Sequence, residues 1–245
     1  KKIDLIETAL ELMTEDDLSD IEHLQAYQAR IKKLYDLERF AFVDTEGLVY
    51  TALGVQEDLD QYDFDHLSLT GPSITVKNLE SSNKKVIIAL PIDPIQLGDS
   101  TLIVCFMEID MQVMLQGVSM QASDNASTFC NLYTRSGIAL SDLVLGGLAS
   151  ESNLLDALKH AAFESGYSYE QIISDFEHGT RGVATFTYNG ILETISYVPV
   201  EGTEWFLTYL IRESVISDKI GSVTGNIIFR SVVQSTLTAD RKSVV

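Results

Sequence analysis

An acidic residue inside an apolar segment is the first feature of this sequence that could do chemistry. Glu108 lies within Val-Cys-Phe-Met-Glu-Ile, residues 104–109, and these apolar and aromatic neighbours predict a strand. Strand alternation places Glu108 on the same side as Val104 and Phe106. An unpaired carboxylate there would cost several kcal/mol or take up a proton. We therefore expect a partner: the cationic group of a bound molecule, Lys77 on a neighbouring strand, or water at the strand end.

A second polar face belongs to the predicted strand at residues 73–79. Ser73, Thr75 and Lys77 alternate with apolar side chains, so all three lie on one side of the strand. This face is the second part of the candidate site.

Signatures of catalysis are weak. The four histidines, His23, His66, His160 and His178, are scattered along the chain. The sequence has no G-x-S-x-G elbow, no H-E-x-x-H pair and no phosphate-binding glycine loop. We expect no enzyme, no catalytic residue, no cofactor and no metal. A hydrolase that uses paired carboxylates or a His–Asp pair is kept as a remote alternative.

The two cysteines also argue against a metal or redox site. Cys105 and Cys130 lie in apolar, strand-like segments without the spacing of metal ligands. Buried thiols are the expected state. A disulfide between them stays open, although nothing in the spacing favours one.

Composition bounds the partners of the chain. The 245 residues are 45% hydrophobic, which is enough for one large core or two modest ones. The 36 acidic residues outnumber the 17 basic ones, for a formal charge of -19. Such a field repels phosphate backbones, so nucleic acid is excluded as an expected partner.

The N-terminal residues predict helix. Ile3, Ile6, Leu10 and Met13 form an apolar seam, which should break at residues 14–17. A restart is predicted at Ser19, where the S-x-x-E pattern is typical of a capping box, and the helix should continue to about residue 37. It packs either on the sheet of this chain or descends from a membrane anchor.

The rest of the chain presents the same order of elements twice. Residues 39–50 predict a strand, a turn and a second strand. A loop with a short helix is predicted near residues 56–70, and three further strands follow it, the last at residues 101–109. A helix from residue 110 to about 120 should cross to the second half. There, residues 128–140 repeat the opening, helices are predicted at 153–163 and 169–176, and three strands end at residue 211. Two lobes that arose by duplication explain this repeated order of elements better than a solenoid does.

The order of these elements resembles a known family, the double Cache, or PAS-like, sensor domains of bacterial transmembrane receptors. Three sequence segments carry the resemblance: FAFVDTEGLVYTA, NLYTRSGIALSD and GVATFTYNGILETISYVPVEGTEWFLTYLIRES. The resemblance implies an α+β fold with a long N-terminal helix, two lobes each with a five-stranded antiparallel sheet and a helical insert, and a C-terminal signalling helix at about 214–236. It implies a helical stalk at 1–38, a membrane-distal lobe at 39–120, a membrane-proximal lobe at 121–212 and a helix toward the membrane at 213–245.

The resemblance also implies a function. Such domains lie outside the bacterial cell membrane, bind a small molecule in the distal lobe and signal to a histidine kinase, a diguanylate cyclase or a chemotaxis module. Membrane spans would flank this chain, which resembles a piece of a longer protein, and the terminal helices would support a homodimer. Alternatively, the lobes bind no ligand and serve dimerisation or contact a binding protein.

Strand alternation and the family's distal pocket together give the expected ligand-binding set: Tyr62, His66, Ser73, Thr75, Lys77 and Glu108. Glu108 matches the acidic residue that amino-acid-binding members place on their last distal strand, where it meets the ligand ammonium. Residues 61–66 contain neither the Arg nor the Trp that those members carry. The ligand class therefore stays open among amines, amino acids and organic acids.

Overall fold

Two compact units make up the chain, one mainly of Lys1–Ser119 and one mainly of Met120–Pro199 with Trp205–Val245. The computed structural model describes residues 2–115, 128–141, 148 and 151–212. Each unit has its own antiparallel sheet, so the predicted α+β fold with two PAS-like lobes is confirmed. Over these ranges, no helix combines the length and the apolar character that a membrane crossing requires.

Two helices, rather than one long helix, precede the first sheet. Helix α1 spans Lys2–Leu12 and helix α2 spans Ile21–Leu34, with a 3₁₀ turn at Asp16–Leu18 between them. The predicted break is thus confirmed, but the predicted cap at Ser19 is wrong by one residue. Asp20 caps α2, because its carboxylate accepts a hydrogen bond from the His23 amide at 2.9 Å.

The first sheet has six strands in the order β3-β2-β1-β6-β5-β4. They are β1 Arg39–Asp44, β2 Val49–Thr51, β3 Gly54–Gln56, β4 Ser73–Lys77, β5 Lys85–Leu97 and β6 Ser100–Asp110. Five were predicted, and the additional strand is the short edge strand β3. It escapes a pattern-based prediction because it holds three residues, starts at a glycine and follows Leu53, which is 90% exposed.

The two faces of this sheet have different covers. Phe40 and Phe42 lie on the helix side, where Phe40 meets Tyr27 of α2 with ring centroids 6.2 Å apart. The opposite face buries Ala41, Val43, Val104, Phe106 and Ile87 under residues 57–72, which we call the excursion. Its 3₁₀ turn, Leu59–Tyr62, inserts Tyr62 into this core.

The second sheet has five strands in the order β7-β11-β10-β9-β8. They are β7 Thr128–Thr134, β8 Ala162–Phe163, β9 Gly182–Tyr188, β10 Ile191–Val200 and β11 Trp205–Arg212. The order β7-β11-β10-β9 repeats β1-β6-β5-β4, so four strands recur with the same connections in both units.

Two predicted elements of this part differ from the structure, and two others lie partly or wholly outside the described residues. No strand forms after Gly137, where Ile138 and Ala139 make only isolated bridges. The helix predicted at 153–163 is the short α4, Leu154–Leu158, since the chain then turns into β8; α5 spans Tyr169–His178. Helix α3 covers Met111–Leu115, and the rest of the predicted crossing helix and the C-terminal helix lie outside the described residues.

Candidate ligand site on the first sheet

Strand register brings two of the predicted residues, Glu108 and Thr75, into one row with Arg39. Glu108 on β6 pairs with Arg39 on β1 and with Ile87 on β5, and Ile87 pairs with Thr75 on β4. Residues paired across neighbouring strands point to the same face of a sheet. Arg39, Glu108 and Thr75 therefore share the face that the excursion covers.

Glu108 has two cationic neighbours at this face. Its side chain is 9% exposed, and its Oε2 atom lies 3.5 Å from Arg39 Nε and 4.0 Å from Lys77 Nζ. Within the described residues this oxygen accepts no hydrogen bond. A buried carboxylate oxygen near two cations but without a donor is a place where a bound molecule could contribute one.

Each cation is held by a glutamine carbonyl. Arg39 Nη1 donates to Gln56 Oε1 at 2.7 Å, and Lys77 Nζ donates to Gln61 Oε1. Gln56 ends β3, and Gln61 belongs to the 3₁₀ turn of the excursion. Gln56, at the edge of the excursion, and Gln61, within it, therefore hold the two cationic side chains in place.

Tyr62 forms the cover of this cluster. Its side chain is fully buried, with Lys77 Nζ 4.8 Å and Arg39 Cζ 5.8 Å from the ring centroid. Cations at this distance from an aromatic face are attracted by its quadrupole. Burial raises the pKa of the Tyr62 phenol to about 12, so it is neutral at physiological pH. Its hydroxyl oxygen is buried and finds no hydrogen-bond partner of good geometry among the described residues.

The other predicted residues lie on β4 and in the excursion. Thr75 Oγ1 donates to the Tyr62 carbonyl at 3.0 Å and anchors the cover. Ser73 lies two residues before Thr75 on β4 and pairs with Ala89 of β5. His66 lies away from Glu108. Its ring is next to Gly47 in the turn after β1, and Arg39 is at the opposite end of that strand. The ligand-binding roles of these residues stay predictions.

Sequence reasoning missed three members of the cluster: Arg39, Gln56 and Gln61. The sequence shows Arg39 as the polar residue that opens the first strand, but only the register of β1 against β6 shows that it lies opposite Glu108. The glutamines are reached through turns, whose geometry no periodicity predicts.

A separate ion triad borders the cluster. Lys85 Nζ lies 2.8 Å from Asp110 Oδ2 and 3.2 Å from Glu38 Oε1. The hydrogen bond between Lys85 and Asp110 raises the pKa of Lys85 and lowers the pKa of Asp110. These three groups satisfy one another and tie the ends of β5 and β6 to the start of β1.

Metal and thiol chemistry find no support in the described ranges. No group of three or more His, Cys, Asp or Glu side chains is placed there to hold a metal ion. Cys105 and Cys130 are both free thiols, and burial raises the pKa of each. Neither is activated as a nucleophile.

Comparisons with known proteins give structural relatives only. No protein-family model and no curated protein sequence matches the chain. The ligand-binding domain of the Pseudomonas aeruginosa amino acid chemoreceptor PctB, solved with L-Gln, is 14% identical and superposes with a TM-score of 0.58 over 97% of this chain and 90% of that one. The extracellular domain of the histidine kinase mmHK1S-Z3 is 12% identical, with a TM-score of 0.59 over 87% and 88%.

A third structure agrees with these two. The ligand-binding domain of the Pseudomonas fluorescens chemoreceptor CtaA, solved with L-isoleucine, is 12% identical, with a TM-score of 0.55 over 89% of this chain and 86% of that one. Together these structures show that the chain has the fold of extracellular sensor domains of histidine kinases and chemoreceptors. The resemblance to a double Cache sensor domain is thereby confirmed at the level of the fold.

Proposed function

We propose that this chain is the extracytoplasmic sensor domain of a bacterial signal-transduction receptor, and that it binds a small molecule between the first sheet and the excursion. The first unit would be the membrane-distal lobe and the second the membrane-proximal lobe. The signal would leave through the C-terminal segment toward a kinase, cyclase or chemotaxis module. A homodimer through the terminal helices remains a prediction.

One observation carries the ligand-binding part of this proposal. Glu108 Oε2 is a buried polar atom without a hydrogen-bond partner in the described part of the chain, the Tyr62 hydroxyl has no partner of good geometry there, and two cations flank the carboxylate. Buried polar atoms are nearly always paired, so each exception calls for an explanation. A ligand that supplies the missing partners is one. Three of the structural neighbours, PctB, CtaA and the Campylobacter jejuni chemoreceptor Tlp3, were solved with amino acids or their analogues.

A thermal-shift screen of the whole chain tests the proposal. The library should hold amino acids, organic acids, amines and nucleobases, and a ligand should raise Tm with concentration as RT ln(1 + [L]/Kd) requires. Arg39→Met should remove the shift, whereas Arg181→Met, at an exposed position of the second unit, should preserve it. A flat response to the entire library would contradict ligand binding and favour a dimerisation or binding-protein module.

A further inference from the structure

The site lacks one hydrogen-bond donor and one partner for a hydroxyl. Glu108 Oε2 needs a donor, and the Tyr62 hydroxyl needs an acceptor or a donor. A simple amine offers no acceptor to Tyr62, Arg39 or Lys77. A simple carboxylate offers no donor to Glu108. A fitting ligand must carry both kinds of group.

Charge separates the remaining candidates. Arg39 and Lys77 carry two positive charges beside the single negative charge of Glu108. Further negative charge lies at the edge of the cluster: the exposed Asp58 carboxylate, which accepts a hydrogen bond from Gln61, and the triad of Lys85, Asp110 and Glu38, in which the Glu38 side chain is 50% exposed to screening water.

An amino acid fits the charges around Glu108 poorly. Its ammonium would lie close to the guanidinium and ammonium groups that already flank that carboxylate. A hydroxyl donor carries no charge and avoids this repulsion, while the carboxylate of a hydroxy acid can still meet Arg39 and Lys77.

Gln61 marks the position where a carboxylate would bind. Its amide oxygen accepts from Lys77 Nζ, and its Nε2 atom donates to the Asp58 carbonyl at 3.1 Å and to the Asp58 carboxylate. A carboxylate forms a charge-assisted hydrogen bond to an ammonium that is roughly twice as strong as a bond to a neutral acceptor. It would therefore displace the Gln61 carbonyl. Because Gln61 precedes Tyr62 in the same 3₁₀ turn, that exchange acts directly on the cover of the site.

From these contacts we infer that the ligand is a 2-hydroxy acid anion, whose carboxylate replaces the Gln61 carbonyl on Lys77 and binds Arg39, and whose hydroxyl donates to Glu108. The inference rests on the proposed function, since it names the class of molecule that the same site takes. It assigns Glu108 as an acceptor for a neutral donor rather than as the partner of an ammonium.

Matched pairs of acids test this class by isothermal titration of the 245-residue chain. Each pair shares one carbon skeleton: L-lactate with L-alanine, L-2-hydroxyisocaproate with L-leucine, and L-malate with L-aspartate. In at least one pair the hydroxy acid should bind about tenfold or more tightly than its amino counterpart. Propionate, which lacks the donor, should bind more weakly than lactate.

Two variants separate the roles of the side chains. Glu108→Met removes the acceptor for the ligand hydroxyl, so lactate should bind this variant no more tightly than propionate does. Gln61→Glu supplies a permanent carboxylate to Lys77 and should weaken binding by about tenfold or more. Gln96→Glu, which makes the same charge change at an exposed position of the first unit, is the control and should bind as the unaltered chain does.

The outcomes distinguish this inference from the proposed function. The hydroxy acid class is overturned, with ligand sensing left intact, if no pair shows the tenfold preference for the hydroxy acid. A preference for lactate over propionate that persists in a Glu108→Met variant with the melting temperature of the unaltered chain overturns it equally. Normal hydroxy acid binding by Gln61→Glu overturns the displacement of Gln61. The absence of binding by every compound of both panels overturns the inference and the proposed function together.

Discussion

Two buried glutamates, one in each unit, differ in how well they are satisfied. Glu193 on β10 is fully buried, and both of its oxygens have partners: Oε1 lies 2.9 Å from Arg212 Nε, and Oε2 accepts from the Leu148 amide at 3.2 Å. Glu108 has cations at longer range and an oxygen without a hydrogen bond. A structural ion pair explains Glu193, whereas Glu108 is the residue with capacity left for a ligand.

Replacing Arg212 should therefore weaken the second unit strongly. Arg212→Met leaves the Glu193 carboxylate buried without its cation, which typically costs about 3–5 kcal/mol of unfolding free energy. The guanidinium also stacks on Phe129 at 4.4 Å, and that contact is lost as well. Trp205 is the single tryptophan and is buried in this unit, so its fluorescence during urea unfolding measures the effect.

The exposed Arg181 provides the control for this measurement. Arg181→Met should change the unfolding free energy by no more than about 0.5 kcal/mol. Equal effects of the two substitutions would contradict the assignment of Arg212 and Glu193 as a buried structural pair.

At the scale of elements, close packing explains a glycine that the sequence alone leaves unremarkable. Gly182 opens β9 beneath Tyr197 of β10, whose hydroxyl donates to Asp175 Oδ2 of α5 at 2.6 Å. A Cβ atom at position 182 would overlap the Tyr197 hydroxyl and lie 2.7 Å from Asp175 Oδ2. The hydrogen bond that joins the helix to the sheet occupies the space of a side chain.

Gly182→Ala should accordingly destabilise the second unit by about 1–3 kcal/mol, the usual cost of overpacking. Gly71→Ala is the matched change, because a Cβ atom there meets nothing within 4 Å. Unfolding followed by circular dichroism compares the two. If Gly182→Ala unfolds at the same midpoint as Gly71→Ala, the packing of α5 on β9 leaves room for a Cβ atom at position 182, which contradicts the close contact with Tyr197 and Asp175.

Periodicity predicted the long elements and failed on the short ones. Strands β6, β10 and β11 and helix α5 carry enough residues for apolar spacing to be decisive. The edge strands β3 and β8 hold three and two residues, so tertiary pairing rather than local sequence forms them. The same limit applies to the site: alternation predicted the face of Glu108 and Lys77, while the approach of Arg39 and Gln61 depends on register and on a turn.

At the scale of the whole molecule, four strands recur in the same order in both units. This recurrence explains why the repeated order of predicted elements in the sequence was informative. The order β1-β6-β5-β4 recurs as β7-β11-β10-β9, although β2 and β3 have no counterpart strands among the described residues of the second unit. Sequence order alone could predict this shared core. It could not predict which lobe holds unsatisfied polar atoms, since that depends on side-chain distances.

The central claim is that a small molecule binds in the first unit, between its sheet and the excursion. Hydrogen–deuterium exchange of the whole chain, with and without the compound that gives the largest thermal shift, tests this claim most directly because it localises binding along the sequence. We predict slower exchange at residues 56–77 and around Glu108, without comparable protection in β9, β10 and β11. Protection confined to those three strands of the second unit would contradict the claim.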